Sequence, residues 1–151
     1  MSQLLPSLAE LDQHAEAQPA FAAWRAGYGP FEHAPQTQAA VFRLAHQLVQ
    51  ANLQPEVDSV YRLLSAVDRL GSAGLWLVVH MTYARRVRLD GAPLEAEDFK
   101  EMPEGHTGGA LNMVPAYVGY LGLNALTGST RGWLMGQGHC VAAIEAVNVL
   151  I

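Results

Sequence analysis

The chain has a single cysteine, Cys140, among its 151 residues. A disulfide framework needs paired cysteines and a thiolate metal site needs several, so neither can stabilise this fold. His139 precedes Cys140 directly, which raises the alternative of a Cys-His nucleophile. Adjacent residues on a helix point in different directions, and we find no third group to orient the pair. We therefore interpret Cys140 as a small packed residue.

Positive charge is also scarce. The chain has 9 Lys and Arg residues against 14 Asp and Glu residues, and its formal net charge is −5 at pH 7. Proteins that bind nucleic-acid phosphates do so with clustered Lys and Arg side chains. The nearest approach to such a cluster is Arg85, Arg86 and Arg88, which we interpret as a solvated helix end. We expect no nucleic-acid partner.

Long hydrophobic runs are missing as well. The longest apolar run, Ala73–Val79, is far shorter than the roughly 20 residues that a membrane-spanning helix needs. The start of the chain, Met1–Leu11, lacks the basic region and the long apolar centre of a signal peptide. We expect a cytoplasmic protein with no membrane partner.

Apolar residues at helical spacing are abundant, and half of all residues are hydrophobic. Ser7 and Glu10 form a capping-box pair that predicts a helix start. Two amphipathic helices are predicted farther on, the second ending at Gly71. Their apolar stripes are Val41, Leu44, Ala45, Leu48 and Val49, then Val57, Val60, Tyr61, Leu64 and Val67. Gly74–Tyr83 is apolar on nearly every side, which predicts a buried helix, with a strand as the alternative.

Four histidines have no motif around them. His14 and His33 lie in polar or loop surroundings, so we expect both to be exposed. His46 falls beside an apolar stripe, which indicates a boundary or core histidine. His80 lies inside the apolar segment, where a buried histidine with satisfied hydrogen bonds is the simplest interpretation.

Two Gly-His pairs, Gly105-His106 and Gly138-His139, stand 33 residues apart. Each lies in a glycine-rich loop just before a predicted helix. There the backbone can approach a ligand closely, and the first helical turn offers unpaired N–H donors. The repetition predicts a binding site. The structural alternative is that two glycine-rich helix starts happen to contain histidine.

The segment between these pairs predicts a helix over Ala110–Leu126 that is interrupted by Pro115, Gly119 and Gly122. Pro115 fits if the helix begins close to it, because proline is tolerated in a first turn. Gly119 and Gly122 within it suggest close approach of another backbone. Next, Trp133-Leu134-Met135 predicts a short buried strand that runs into the glycine turn before His139. In α/β folds a strand, a glycine turn and a helix present a ligand site.

An acidic cluster precedes the first Gly-His pair. Its members are Glu95, Glu97, Asp98 and Glu101. Carboxylates can bind Mg²⁺, but this segment is polar and has no converging apolar wall. A solvated helix start is the better interpretation, and we predict no metal site in the chain.

The final segment, Cys140–Ile151, predicts a helix in which only Glu145 and Asn148 are polar. A helix that is hydrophobic on most faces must be buried on most faces. In the isolated chain we expect part of this helix to be exposed or covered by self-association.

The Gly-His segments carry a family resemblance. GHTGGALNMVPAYVGYL resembles the GHWGT-type segment of phosphoketolases, and GQGHCVAAIEAVN is similar to their GPGHGG segment. The stretch Pro93–Lys100 resembles the approach to the first motif. Transketolases carry related segments with a longer insert between them. The resemblance covers residues 72–151 and points to the phosphoketolase side of the thiamine-diphosphate enzyme superfamily.

Phosphoketolases cleave a ketose phosphate with inorganic phosphate, giving acetyl phosphate and an aldose phosphate, and they use thiamine diphosphate and Mg²⁺. By motif, the resemblance implies that His106 is a substrate-oriented donor and that His139 transfers protons or faces the cofactor. Backbone access for the cofactor would come from four glycines, namely Gly105, Gly108, Gly136 and Gly138. The implied partners are a sugar phosphate, inorganic phosphate and further copies of the chain in a homodimer or larger assembly.

For the fold, the resemblance implies a mainly α piece with one short strand that belongs to an α/β thiamine-diphosphate-binding fold. Residues 1–71 would be a helical extension, and residues 72–151 would be the truncated beginning of the cofactor-binding domain. The isolated chain is expected to be inactive.

The chain departs from the family pattern at several points. Thr107 stands where phosphoketolases have a bulky aromatic residue, and Gln137 and Cys140 replace Pro and Gly of the second motif. The Mg²⁺–diphosphate motif and the catalytic glutamate of the family are absent from the chain. Three interpretations stay open: an amino-terminal segment of a phosphoketolase-like enzyme, which we favour, a transketolase-type two-carbon transferase, and a non-catalytic helical binding module.

Overall fold

The computed structural model describes residues 5–88, 90 and 92–151. In this part of the chain the regular structure is helical: six α-helices and two short 3₁₀-helices, with no sheet. The α-helices are α1 Leu8–Ala17, α2 Pro19–Arg25, α3 Pro35–Gln50, α4 Val57–Tyr83, α5 Thr107–Thr127 and α6 Val141–Leu150. The 3₁₀-helices are Ala96–Asp98 and Gly138–Cys140. The mainly helical fold class is confirmed.

The expected short buried strand at Trp133-Leu134-Met135 is wrong. Residues 129–137 have no regular structure, and Leu134 is 97% exposed. A strand needs a neighbouring strand to pair its backbone N–H and C=O groups. Within the described ranges the only β-type pairings are two isolated bridges, Tyr28 with Phe31 and Ala84 with Phe99.

Helix α4 is one continuous helix of 27 residues, whereas the sequence predicted a break at Gly71. No proline interrupts the stretch, so the glycines lower its helical stability without ending it. Packing explains why residue 74 is a glycine. A Cβ atom there would lie 3.0 Å from Cγ1 of Val114 and 3.2 Å from Cγ2 of Val147.

Helix α5 begins at Thr107, so Pro115 lies inside it and not in its first turn. The prediction of a later start is wrong. Pro115 is exposed, and solvent can therefore take the place of the missing donor to the carbonyl group four residues earlier. Among the residues that the structure describes, neither glycine has the expected backbone neighbour. A Cβ at Gly119 would meet nothing within 4 Å, and one at Gly122 would lie 2.8 Å from the Val67 side chain.

Contacts divide the chain into two compact units. The first comprises Met1–Arg69 and Gly122–Arg131, and the second comprises Leu70–Leu121 and Gly132–Ile151. Helices α4 and α5 contribute residues to both units. The core of the first unit is a cluster of buried side chains: Leu11, Phe21, Trp24, Ala39, Ala45, Leu48, Val60, Tyr61 and Leu126. The domain division at residue 71 stays a prediction.

The start of α1 matches its prediction. Ser7 caps the helix, and the reciprocal hydrogen bonds of a capping box with Glu10 are present. These bonds satisfy N–H groups that the first turn leaves without a helical partner.

In the first unit, His14 and His33 are partly buried, so the expectation that both are exposed is wrong. Nε2 of His14 lies 3.0 Å from the Tyr61 hydroxyl, and its ring packs edge-on against Phe42. His33 stacks on Trp24, with ring centroids 4.2 Å apart, and its side chain is 10% exposed. None of these partners is adjacent in sequence, so the polar neighbours along the chain gave no sign of them.

Helix α6 buries one face and exposes another. Ala143, Ala146 and Val147 are fully buried, whereas Val149 is 65% exposed and Ile151 is 74% exposed. The expectation of partial exposure is confirmed. In the described residues, none of the helices combines the length and the apolar content required to cross a bilayer.

Candidate functional site

The first Gly-His pair forms the start of α5. Gly105 has a φ of +122°, a conformation that side chains with a Cβ rarely adopt. His106 follows as the residue before the helix, and its carbonyl oxygen accepts a hydrogen bond of 3.1 Å from the N–H of Ala110. The glycine therefore lets the chain turn sharply, and the histidine is fixed at the first helical turn.

The second pair lies in the 3₁₀-helix before α6. The N–H of Cys140 donates to the carbonyl oxygen of Gln137 at 3.0 Å, which closes this turn around His139. Cys140 is buried, and its sulfur lies 3.8 Å from Oε1 of Gln137. The prediction that Cys140 is a packed residue is confirmed.

The structure brings the two motif histidines together. The ring centroids of His106 and His139 are 5.0 Å apart, with 59° between the ring planes, and both residues are exposed. Two imidazoles at this separation can contact one small polar ligand from two sides. Each ring can donate or accept a hydrogen bond.

Gly109 explains how the two segments meet, and the sequence interpretation missed it. A Cβ at this position would lie 3.1 Å from Sγ of Cys140 and 3.3 Å from Cδ2 of His139. The first turn of α5 therefore has room for the His139 turn only because residue 109 lacks a side chain. The doubled glycine at 108 and 109, unusual in a helical turn, was the available signal.

The glycines expected to give a cofactor backbone access have different surroundings. Ideal Cβ atoms at Gly108, Gly136 and Gly138 would meet nothing within 4 Å, and one at Gly105 would reach only Oγ1 of Thr82 at 3.8 Å. The space beside these backbones is open. Their role in cofactor binding stays a prediction.

Tyr83 is a further residue beside the histidine pair that sequence reasoning missed. The hydroxyl of Thr107 donates to the hydroxyl of Tyr83 at 3.4 Å. The hydroxyl of Tyr83, the last residue of α4, is thereby hydrogen-bonded to the residue that follows His106.

The acidic cluster is only partly a solvated helix start. Asp98 is buried, accepts a hydrogen bond of 3.1 Å from the N–H of Glu95, and lies 3.7 Å from Arg86 and 3.6 Å from Arg88. The Glu95 N–H, and then the two guanidinium groups, hold the pKa of Asp98 below its ordinary value. The arginines are thus ion-pair partners of Asp98, which corrects the view of them as a purely solvated helix end.

The described residues contain no group of three or more His, Cys, Asp and Glu side chains that could hold a metal ion. In the acidic cluster, Asp98 and Glu101 are already engaged with arginines. This donor set does not fit a Mg²⁺–diphosphate anchor, and we derive no catalytic step through thiamine diphosphate from this chain.

The other histidines serve packing. His80 is buried and stacks on Trp76, whose carbonyl oxygen lies 3.1 Å from its Nδ1. Its burial was predicted correctly, but Nε2 has no hydrogen-bond partner within the described part of the chain. His46 is exposed, and its Nδ1 lies 2.8 Å from the Phe42 carbonyl oxygen. A boundary position fits His46 and a core position does not.

Comparison of the chain with models of protein families, with curated proteins and with solved structures gave no match. Functional assignment therefore rests on the motif residues and their geometry. The feature that carries most weight is the pairing of His106 with His139 across 33 residues of sequence.

Proposed function

We propose that the chain is the amino-terminal segment of a phosphoketolase-like enzyme that cleaves a ketose phosphate with inorganic phosphate to acetyl phosphate and an aldose phosphate. The observation that carries this proposal is the 5.0 Å separation of the His106 and His139 rings. The resemblance requires the two Gly-His segments to face a common substrate, and their adjacency supports that requirement.

The chemistry suits this pair. Cleavage next to a sugar carbonyl moves protons on and off hydroxyl groups, and neutral imidazoles can donate to a developing alkoxide near pH 7. His106, fixed at the start of α5, would orient the substrate hydroxyls. His139, on the 3₁₀ turn, would exchange the proton. Both rings are exposed in the chain, so the remainder of the enzyme would cover them.

Thiamine diphosphate would supply the carbon–carbon cleavage chemistry when it is bound. Its Mg²⁺ and diphosphate would be held by residues outside this chain, since the described residues offer no suitable ligand group. Those residues, and the strands of the α/β cofactor-binding fold, would belong to the remainder of the enzyme or to a second subunit. Sugar phosphates are charged metabolites, which agrees with a cytoplasmic location.

The direct test is a reaction with the longer protein that begins with this chain. Supplied with xylulose 5-phosphate or fructose 6-phosphate, thiamine diphosphate, Mg²⁺ and phosphate, it should accumulate acetyl phosphate, measured as the hydroxamate. Transfer of a two-carbon unit to ribose 5-phosphate without acetyl phosphate would instead support a transketolase-type enzyme. The isolated 151-residue chain is the control, and it should form neither product.

One observation favours a second candidate, a non-catalytic helical binding module. All regular structure in the described part of the chain is helical, so these elements need no sheet to complete their hydrogen bonds. Light scattering and amide exchange on the chain separate the two proposals. A monomer at high concentration with strongly protected amides throughout α6 would support the module. Self-association, or rapid exchange in α6, would support the segment of a larger enzyme.

A further inference from the structure

A groove in the first unit lies far along the sequence from the histidine pair. It encloses a cavity of about 360 Å³, within the range of small-molecule sites. Helix α2 and the turn after it form one wall, and α4 forms the other. The lining residues that matter here are Ala20, Ala23, Trp24 and Tyr28 on the first wall, and Arg62, Ser65, Ala66, Asp68 and Arg69 on the second.

The α4 wall is one face of the helix. Counted from Arg62, the residues Ser65, Ala66 and Arg69 lie three, four and seven positions farther along, which places all four on one helix face toward the groove. This face combines two guanidinium groups with a hydroxyl donor. Ala66, like Ala20 and Ala23 across the groove, has a small side chain that leaves room for a ligand.

Positive charge prevails among the lining residues. Arg62 is paired with Asp58 at 2.6 Å, and Asp68 is paired with His33 at 2.8 Å. Arg69 lies over the Tyr28 ring, with its guanidinium carbon 5.1 Å from the ring centroid. In the described ranges no carboxylate lies within ion-pair distance of Arg69. The guanidinium N–H donors of Arg69 are therefore available to a ligand in the groove. This is so even though the net charge of the chain is −5.

We propose that this groove binds a small organic anion in which a carboxylate or phosphate group is attached to a compact apolar or aromatic body. Arg69 would grip the anionic oxygens through two parallel N–H donors, and Ser65 would add a hydroxyl donor. The aromatic rings of Tyr28 and Trp24, with the alanines, would cover the apolar body. This site is independent of the phosphoketolase-like proposal and survives if that proposal fails.

Anions are favoured over cations by the arrangement of the charges. Asp68 is the one acidic side chain among the lining residues, and one of its oxygens already pairs with His33. A cation would face two guanidinium groups in the same groove. An anion can instead pair with Arg69, which has no carboxylate partner in the described ranges.

The test uses the ¹⁵N-labelled 151-residue chain and four probes: phenyl phosphate, benzoate, inorganic phosphate and benzyl alcohol. Phenyl phosphate and benzoate should shift the Ser65 and Arg69 amide signals and the Trp24 indole signal in a saturable manner. Inorganic phosphate, which lacks the apolar body, and benzyl alcohol, which lacks the charge, should bind at least about 10-fold more weakly. If benzyl alcohol bound as tightly as phenyl phosphate, the assignment of an anionic ligand would be wrong. If inorganic phosphate bound as tightly, the proposed contacts with an apolar body would be wrong.

Three variants locate the site. Arg69→Gln should weaken phenyl phosphate binding about 10-fold or more, the typical effect of losing a charge-assisted hydrogen bond. Arg43→Gln makes the same charge change on α3, outside the groove, and should leave affinity unchanged. Ala66→Leu adds bulk at an exposed helix position that lines the groove, so it should abolish binding without unfolding the chain. Equal weakening by Arg69→Gln and Arg43→Gln, or full binding by Ala66→Leu, would refute the proposal.

Discussion

The His139 ring lies beside the backbone of Gly109, so close that a Cβ there would be 3.3 Å from its Cδ2 atom and 3.4 Å from its Nε2 atom. The same Cβ would lie 3.1 Å from the buried Cys140 sulfur. Because the exposed imidazole can swing away and the sulfur cannot, residue 109 controls where His139 sits as well as how tightly the turn packs.

Gly109→Ala should therefore displace the His139 ring and weaken its contact with His106. Gly108→Ala is the matched control, because a Cβ there meets nothing within 4 Å. In the control, the helix preference of alanine over glycine should raise the free energy of unfolding by up to about 1 kcal/mol. Gly109→Ala should fall below the control in urea unfolding and shift the His139 ring signals. Identical effects of the two substitutions would mean that the packing at Gly109 is misjudged.

Gly122 and Val67 form a second pair in which a glycine makes room, this time within the first unit. A Cβ at residue 122 would lie 2.8 Å from Cγ2 of Val67, which is closer than real Cβ contacts allow. Gly122→Ala should lower stability by about 1–3 kcal/mol because the packing must shift. Gly119→Ala, in open space, should be neutral or stabilising. Combining Gly122→Ala with Val67→Ala should recover part of the loss, and strict additivity would argue against the contact.

His14 should make the stability of the first unit depend on pH. Burial, and then the charge of His46, lowers the pKa of His14 below its ordinary value of 6.5. Between the lowered pKa and 6.5 the unfolded chain binds this proton more readily than the folded chain does. The His14 contribution to stability is therefore present above pH 6.5 and is lost as the pH falls through the window below it.

The measurement is an NMR titration of the His14 ring together with urea unfolding at about pH 7.5 and about pH 5.5. His46→Gln removes the neighbouring charge and should raise the pKa of His14 part of the way to 6.5, because burial remains as the larger cause. An unchanged His14 titration in His46→Gln would show that the two rings do not interact. Burial also raises the pKa of the Tyr61 hydroxyl that lies 3.0 Å from His14.

The catalytic prediction applies to the longer enzyme of which we propose this chain is a segment. His106→Ala and His139→Ala should each lower turnover of the ketose phosphate by about 10²–10⁴-fold, as expected for a positioned acid or base. His46→Ala and His80→Ala are matched controls. They remove an imidazole that packs against its own helix, so they should change stability and leave turnover of the folded enzyme intact. Wild-type turnover in His106→Ala would mean that the site is assigned to the wrong residues.

Sequence patterns within a few residues predicted well where helices form, but they predicted poorly where helices begin and end. The Ser7–Glu10 capping box depends on neighbours within one turn and appears as expected. Of the predicted α3 stripe, Ala45 and Leu48 are buried whereas Leu44 is exposed. The break expected at Gly71 does not occur, because a glycine lowers the stability of a helix without ending it. Which residues lie against a helical glycine cannot be read from its neighbours in sequence. At Gly74 those residues are Val114 and Val147, both distant in sequence.

In the candidate site, too, the sequence motif could be predicted but the contacts between distant residues could not. Repetition of the Gly-His motif was readable from the chain, and His106 and His139 do meet. Gly109 was missed because its role depends on a contact with residues 30 positions away. The hydrogen bond between His33 and Asp68 was missed for the same reason, since a polar sequence context says nothing about a partner on α4.

The most direct test of the site is a nuclear Overhauser measurement between the imidazole ring protons of His106 and His139 in the 151-residue chain. Centroids 5.0 Å apart place ring protons close enough for a clear cross-peak. The His14–His46 pair, at 5.8 Å, gives a reference within the same sample. The structure predicts a His106–His139 cross-peak at least as strong as the reference. A reference cross-peak without the His106–His139 signal, in a chain whose α5 and α6 amides are protected, would show that the two Gly-His segments do not form one site.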